Sequence, residues 1–175
     1  MQKSLNLENG RCISLWPHGI LFRDKEAELR RKMIEEDLVE CVIGLGPNLF
    51  YNSPMEACLL ITKTNKEENK KGKILFINAV NEVKQEKTMG FLESNHIEKI
   101  FTAYQDFKDV EDFARLVDAE KVLSKNGNMA INLYVRRNKH KENEQDSFEL
   151  SYSAWEASSQ NLTKSMDELF QILEN

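Results

Sequence analysis

Four short apolar runs constrain what this chain can fold into more than any other feature. They are Cys12-Ile13-Ser14-Leu15-Trp16, Cys41-Val42-Ile43-Gly44-Leu45, Ala57-Cys58-Leu59-Leu60-Ile61-Thr62 and Lys73-Ile74-Leu75-Phe76-Ile77-Asn78. Each is too short for a stable helix, rich in β-branched or apolar residues, and bounded by turn formers or charges, as strands buried in a sheet are. Asn9-Gly10 leads into the first run, and Pro17-His18-Gly19 closes it. Between the first and second runs, Asp24 is placed to cap a helix from Lys25 to about Val39. Leu29, Met33, Ile34 and Leu38 would form its apolar stripe, with Glu28, Arg31, Lys32, Glu35 and Glu36 in solvent. The order strand, helix, three strands predicts an α/β sheet with an antiparallel edge and the helix packed on one face.

The second half reads differently. Asn95, with Glu98 three residues on, resembles a helix start, and Ile97, Ile100, Phe101 and Tyr104 follow at helical spacing. Phe113, Leu116 and Val117 make a short apolar patch. Asp118 to Leu123 suits a helical turn, Asn126-Gly127 a turn, and Ile131 to Val135 an extended stretch. Residues 138–146 are almost wholly polar and read as a linker. A C-terminal helix over about Ser153 to Leu173 follows. In it Trp155, Leu162 and Leu169 interleave with Ser159, Met166 and Leu173 in a 4-3 stripe, the seam of a helix that packs on a partner helix or back on its own domain. The expected division is 1–94 for the sheet, 95–137 for a helical extension, and 138–175 for linker and tail.

Composition excludes several functions. No apolar stretch approaches the ~20 residues of a membrane span, and 1–10 lack the apolar region of a secretory signal, so a cytoplasmic protein with no membrane contact is expected. The net charge of -5 gives no support to free-standing nucleic-acid binding. The basic clusters Arg30-Arg31-Lys32 and Lys70-Lys71 have acidic neighbours and read as solvated faces, and 63–72 as an exposed connection. Cys12, Cys41 and Cys58 sit in apolar runs as small buried hydrophobes, and the scattered His18, His96 and His140 complete no metal motif, so no metal is expected. Gly44-x-Gly46 follows a strand, but the third glycine of a phosphate loop is missing.

The order of several segments carries more information than any one of them. Residues 17–23, Pro-His-Gly-Ile-Leu-Phe-Arg, resemble the Pro-x-Gly-Val-Leu-Phe segment of type I restriction-modification methyltransferase (modification) subunits. Residues 32–45 follow at that family's spacing. Gly46-Pro47-Asn48-Leu49-Phe50-Tyr51 is similar to Pro-Pro-Asn-Leu-Phe-Tyr, and 57–61 to Ala-Cys-Ile-Leu. Residues 71–79 resemble Lys-Gly-Lys-Val-Leu-Phe-Ile-Asp-Ala, and 128–136 resemble Asn-Leu-Ser-Ile-Pro-Leu-Tyr-Val-Arg. The resemblance runs from about Gly10 to Arg137.

That resemblance implies a partial Rossmann-like methyltransferase sheet, its C-terminal half, with one face of the sheet exposed or poorly covered because the upstream half is absent. It also implies adenine-N6 DNA methylation with S-adenosylmethionine as cofactor in the intact enzyme. The family's glycine-rich cofactor loop and Asn-Pro-Pro-Phe motif lie upstream of the matched region. This chain has no Pro-Pro pair, its prolines being Pro17, Pro47 and Pro54. No catalytic and no cofactor-binding residue is therefore expected here, and no cofactor for the chain alone. Phe50 falls where the family stacks an aromatic ring on the flipped-out adenine. Plugging the end of the sheet is its alternative role. His18 reads as a turn residue. Gly46, 52–56 and Asn132 depart from the family pattern as signs of decay or divergence, and the loop change at 52–56 puts target-base handling in doubt. The implied partners are a specificity subunit, with Trp155, Leu162, Met166 and Leu169 as candidate helix contacts, and an N-terminal methyltransferase fragment, with DNA bound only in the assembled complex. Three functions follow: a piece of a methyltransferase, from a split or truncated gene; a non-enzymatic module or relic that docks on other restriction-modification subunits; or an α/β domain with an unknown ligand.

Overall fold

The computed structural model describes residues 9–50, 53–86 and 89–135. The expected tail helix with Trp155, Leu162, Met166 and Leu169 lies outside them, as does the 138–146 linker. Two compact units divide the chain, Met1–Arg137 and Asn138–Asn175.

The elements run β1 (Arg11–Pro17), α1 (Ala27–Glu35), β2 (Val39–Leu45), β3 (Ala57–Lys63), β4 (Lys73–Ala79), β5 (Lys84–Glu86), β6 (Met89–Phe91), α2 (Ser94–Asp106), β7 (Ala114–Asp118) and α3 (Ala119–Leu123). Short 3-10 turns at His18–Leu21, Asp24–Glu26, Glu68–Lys70 and Ile131–Leu133 link them. All four apolar runs are strands, within a residue or two of their expected ends. They join β7 in a five-stranded sheet of order β1-β3-β2-β4-β7. The α/β class holds, but only β2 and β4 run parallel; β1–β3, β2–β3 and β4–β7 are antiparallel. The central β2 is buried at every residue, whereas β1, at the edge, alternates between half-buried and exposed. A strand covered on both faces needs a continuous apolar run, and an edge strand with one open face needs alternation.

Several expectations are corrected. The first α-helix begins at Ala27 after a 3-10 turn, with Glu26 rather than Asp24 at its N-cap position, and it ends at Glu35, not Val39. Asp37 takes a left-handed φ of 52°. The Asp37 N–H then donates to Ile34 O at 3.0 Å and the Leu38 N–H to Met33 O at 2.9 Å. This paired closure of the last carbonyls is a Schellman stop, and it frees Val39 to start β2. The buried face of α1 is Ala27, Arg30, Met33 and Ile34, while Leu29 is exposed. Helix α2 starts at Ser94, with the Glu93 N–H donating to His96 Nδ1 at 3.3 Å, so the cap pair is Glu93 and His96, not Asn95 and Glu98. The 113–117 patch is β7, a sheet strand inside the supposed helical extension, because Ala114 to Asp118 pair with β4. Ile131–Leu133 is a 3-10 turn, not an extended stretch.

Apolar clusters cover both faces of the central strands. On one face Met33, Ile34, Val42, Leu60, Phe76, Val117, Val122 and Ile131 pack together, with Tyr134 stacked on Phe76 at 4.3 Å. On the other, Cys41, Ile43, Ile61, Leu75 and Ile77 pack against Ala103 and Phe107 of α2 and its C-cap. The expected exposed face is not found: α2 covers it. Among the described strands of the sheet, the exposed large apolar side chains are Ile13 (61%) and Leu15 (48%) on the edge strand β1.

The basic clusters are not all solvated. Arg30 is only 4% exposed and donates to Gly127 O at 2.9 Å, Ile20 O at 2.9 Å and Arg23 O at 2.7 Å. Segment 63–72 buries two lysines: Lys66 pairs with Asp37 at 2.6 Å, and Lys70 lies 3.6 Å from the fully buried Glu40. Glu40 also accepts from Tyr104 Oη at 3.0 Å and meets Arg11 Nε at 3.7 Å, tying the first strand and α2 to β2.

Removing the Arg30 guanidinium would leave three backbone carbonyls short of a partner. Arg30→Ala is expected to lower the unfolding free energy by about 3 kcal/mol in a urea titration. Lys32→Ala, which loses only the exposed pair with Glu36 at 3.9 Å, should change it by less than about 0.5 kcal/mol. Burial pushes the Cys41 thiol far up and the Cys58 thiol to about 12, while Cys12 is half-buried. Iodoacetamide at mildly alkaline pH should therefore label at most Cys12 in the folded chain and reach Cys41 and Cys58 only after denaturant is added, as mass spectrometry would show.

Candidate functional site

The site residues gather where β1, β2 and β4 end and β3 begins. The antiparallel register places Pro17 opposite Ala57, and the His18 N–H donates to Glu56 O at 3.2 Å. The 46–56 loop between β2 and β3 must therefore close over the end of β1. Asn48 takes a left-handed φ of 60°, which asparagine tolerates better than most residues. The Ser53 N–H then donates to Phe50 O at 3.1 Å. This turn leaves Phe50 37% exposed at the rim. With Leu15, Pro17, Met55 and Glu56, its ring lines a hollow of about 230 Å³. An aromatic side chain lining a mostly apolar hollow can stack a planar ring.

A larger hollow of about 530 Å³ lies beside it, walled by His18, Phe22, Glu56, Asn78, Ile131 and Asn132 among others. Glu56 belongs to both walls. His18 Nδ1 stands 2.9 Å from Glu56 Oε2. Nε2 is buried without a partner. The pair fastens the end of β1 to the start of β3, in keeping with His18 as a turn residue. Its partner was not singled out from the sequence, because Glu56 lies 38 residues away and only the strand register joins them.

Gly44 and Gly46 are packing residues. A Cβ on Gly44 would sit 2.7 Å from Ile131 Cδ1, and one on Gly46 2.5 Å from Val80 O. The chain after them enters the loop and then β3, so no helix N-terminus is offered to a phosphate. Among the described residues, no group of three His, Cys, Asp or Glu side chains could hold a metal, and no helix is long and apolar enough to cross a membrane. Of the candidate site residues, only Phe50 falls within the described part.

The chain resembles known proteins along most of the described sequence. The family model for N-6 DNA methylase matches residues 2–143. The type I restriction enzyme MjaVIII methylase subunit of Methanocaldococcus jannaschii is 43% identical over 121 residues, 67% of this chain and 21% of that protein. The MpnII methylase subunit of Mycoplasma pneumoniae is 33% identical over 139 residues, 79% of this chain and 25% of that one. The crystal structure of a type I restriction-modification methyltransferase subunit from Streptococcus thermophilus superposes with a TM-score of 0.71 at 32% identity, over 77% of this chain and 28% of its own. The chain thus spans about a fifth to a quarter of the length of these two curated relatives. The match to the family model over most of the sequence, together with the shared fold, makes this chain a member of the N-6 DNA methylase family, related to type I restriction-modification methyltransferase subunits.

Proposed function

We propose that the chain is the C-terminal, target-base-handling part of an adenine-N6 DNA methyltransferase of type I kind, working in a complex with the remaining methyltransferase and a specificity subunit. Phe50 carries this reading: it is an aromatic side chain at the end of the sheet, 37% exposed, that lines a hollow together with Leu15, Pro17 and Met55. A base taken out of the duplex loses its stacking partners, and an aromatic face replaces them at ~1–3 kcal/mol per base.

The five strands serve in this reading as the C-terminal half of a Rossmann-like sheet. Among the described residues β1 pairs only with β3, and Ile13 and Leu15 stand exposed along it. The parity of the Thr64-to-Gly10 and His18-to-Glu56 backbone bonds directs the even-numbered groups of β1 toward β3, which leaves the amides and carbonyls of Ile13 and Leu15 for a further strand. The complementary part supplies that strand and the cofactor site. S-adenosylmethionine would furnish the methyl group there. The Gly44-x-Gly46 pair does not fit a cofactor loop, since Gly46 is closed by Val80 O and leads into no helix.

A second reading, a non-enzymatic module that docks on the other subunits, rests on the 4-3 stripe of Trp155, Leu162, Met166 and Leu169 in the tail sequence. Replacing both Leu162 and Leu169 with Asp should abolish co-purification with a cognate specificity subunit if that stripe is the contact. Association that survives the double change removes the docking role.

The isolated chain should show no low-micromolar S-adenosylmethionine binding by calorimetry, and a saturable heat in that range would overturn the division of labour. In the assembled enzyme, Phe50→Ala should lower methyl transfer roughly 5- to 150-fold, the equivalent of ~1–3 kcal/mol, with Phe50→Trp close to the parent. An unchanged rate for Phe50→Ala would sink the stacking role.

A further inference from the structure

The hairpin formed by β5 and β6 packs against the loop that carries Phe50. Gly90, the buried middle residue of β6, donates its N–H to Asn48 O at 2.8 Å. Gln85 Nε2 donates to Pro47 O at 3.4 Å, and the Asn48 side-chain amide donates to Gln85 Oε1 at 3.5 Å. The hairpin thus holds two consecutive residues of the loop, ending two positions before Phe50.

Steric fit fixes the same contact. Val83, just before β5, is wedged between two glycines. A Cβ on Gly46 would lie 2.9 Å from Val83 Cγ1 and 2.5 Å from Val80 O, and one on Gly90 would lie 2.8 Å from Val83 Cγ2 and 3.0 Å from Pro47 O. A side chain at Gly90 therefore displaces Val83 and crowds Pro47 O, so the contact between the hairpin and the loop must shift. The hairpin and Glu82, just before it, also meet α2 through two exposed ion pairs. Lys84 Nζ lies 2.9 Å from Glu93 at the start of α2, and Lys99 of α2 lies 2.6 Å from Glu82. In turn α2 is held to the buried β2 through Tyr104 and Glu40. A continuous path of contacts runs from the core through α2 and the hairpin to the loop.

We propose that this hairpin is a clamp that sets the position of the Phe50 ring, with Gly90 and Gln85 as positioning residues for the methyl-transfer site. The proposal rests on the reading of Phe50 as the base-stacking residue. Neither residue touches the base. Both act on the backbone of Pro47 and Asn48, and through it on the position of the ring in the hollow it lines with Leu15 and Pro17.

The test uses the full chain in two settings. In the chain itself, hydrogen exchange of 46–50 is compared for the parent, Gly90→Ala, Gly90→Val and Gln85→Ala. In the methyltransferase assembled from the full chain, its complementary part and a specificity subunit, kcat and the KM for DNA are measured for the same variants and for Phe50→Ala. The clamp predicts faster exchange in 46–50 with β2 and β3 unchanged. It also predicts a fall in kcat of about tenfold for Gly90→Ala, larger for Gly90→Val, with the KM for DNA held within about twofold, because misplacing a group by a fraction of an ångström acts on the oriented complex. If Phe50→Ala lowers kcat while the Gly90 and Gln85 variants leave kcat and exchange unchanged, the clamp is wrong and the stacking role stands. If Phe50→Ala itself leaves kcat unchanged, the stacking role falls and the clamp falls with it. If the variants raise the KM for DNA and spare kcat, the hairpin is a binding element and the positioning role is overturned.

Discussion

Everything in the described fold depends on β2 being hydrogen-bonded on both edges and buried on both faces. Its partners run in opposite senses, β3 antiparallel and β4 parallel. The antiparallel partner requires a reversal directly after Leu45, which places the Phe50 loop at one end of the sheet. The parallel partner requires the chain to travel back the length of the sheet, which places Asn78 and Val80 at that same end. Two hollows meeting at Glu56 follow from this arrangement. The site is in this sense a consequence of strand direction, and its chemistry comes from the side chains that happen to close the strands.

Charge inside the molecule serves to bind layers together. Glu40, on the buried strand, meets Lys70 from the connection after β3, Arg11 from the edge strand and Tyr104 from α2. A lone buried carboxylate would be costly, and several donors offset that cost while fixing where each layer sits. Asp37 does comparable work at the exit of α1. Its backbone ends the helix, and its side chain receives Lys66 Nζ and the Gly72 N–H at 3.1 Å. Arg30 binds α1 to the Ile20–Arg23 turn and to Gly127. The residues that look most suited to solvent in 63–72 and at 30 are thus part of the framework.

The candidate site was partly legible in the sequence. Phe50 could be picked out because the order of segments around it resembles a known family, and the structure puts it on an open rim. Asn78 was not, and Glu56 and Asn132 stood out only as departures from the family pattern, not as neighbours of His18, because nothing local marks a residue whose partner is set by strand register. The hairpin at 84–91 has short strands and few apolar residues, too little periodicity to announce itself, and its contact with the loop depends on two glycines far apart in the chain.

By itself the sequence determined the four strands β1 to β4, because a run of apolar residues too short for a helix and closed by turn formers can be buried in few other ways. It also determined the turn at Asn126-Gly127 and the presence, if not the ends, of α1 and α2. Only the tertiary structure decided where α1 stops, since the stop depends on a left-handed Asp37 whose side chain is held by residues 29 and 35 positions away. It also decided that Ala114–Asp118 is a strand, since β7 exists by pairing with β4. The burial of Arg30, Lys66, Lys70 and Glu40 belongs to the same class. A charged side chain can be buried only where partners from distant segments converge on it, and sequence periodicity, which records one segment at a time, carries no trace of that convergence.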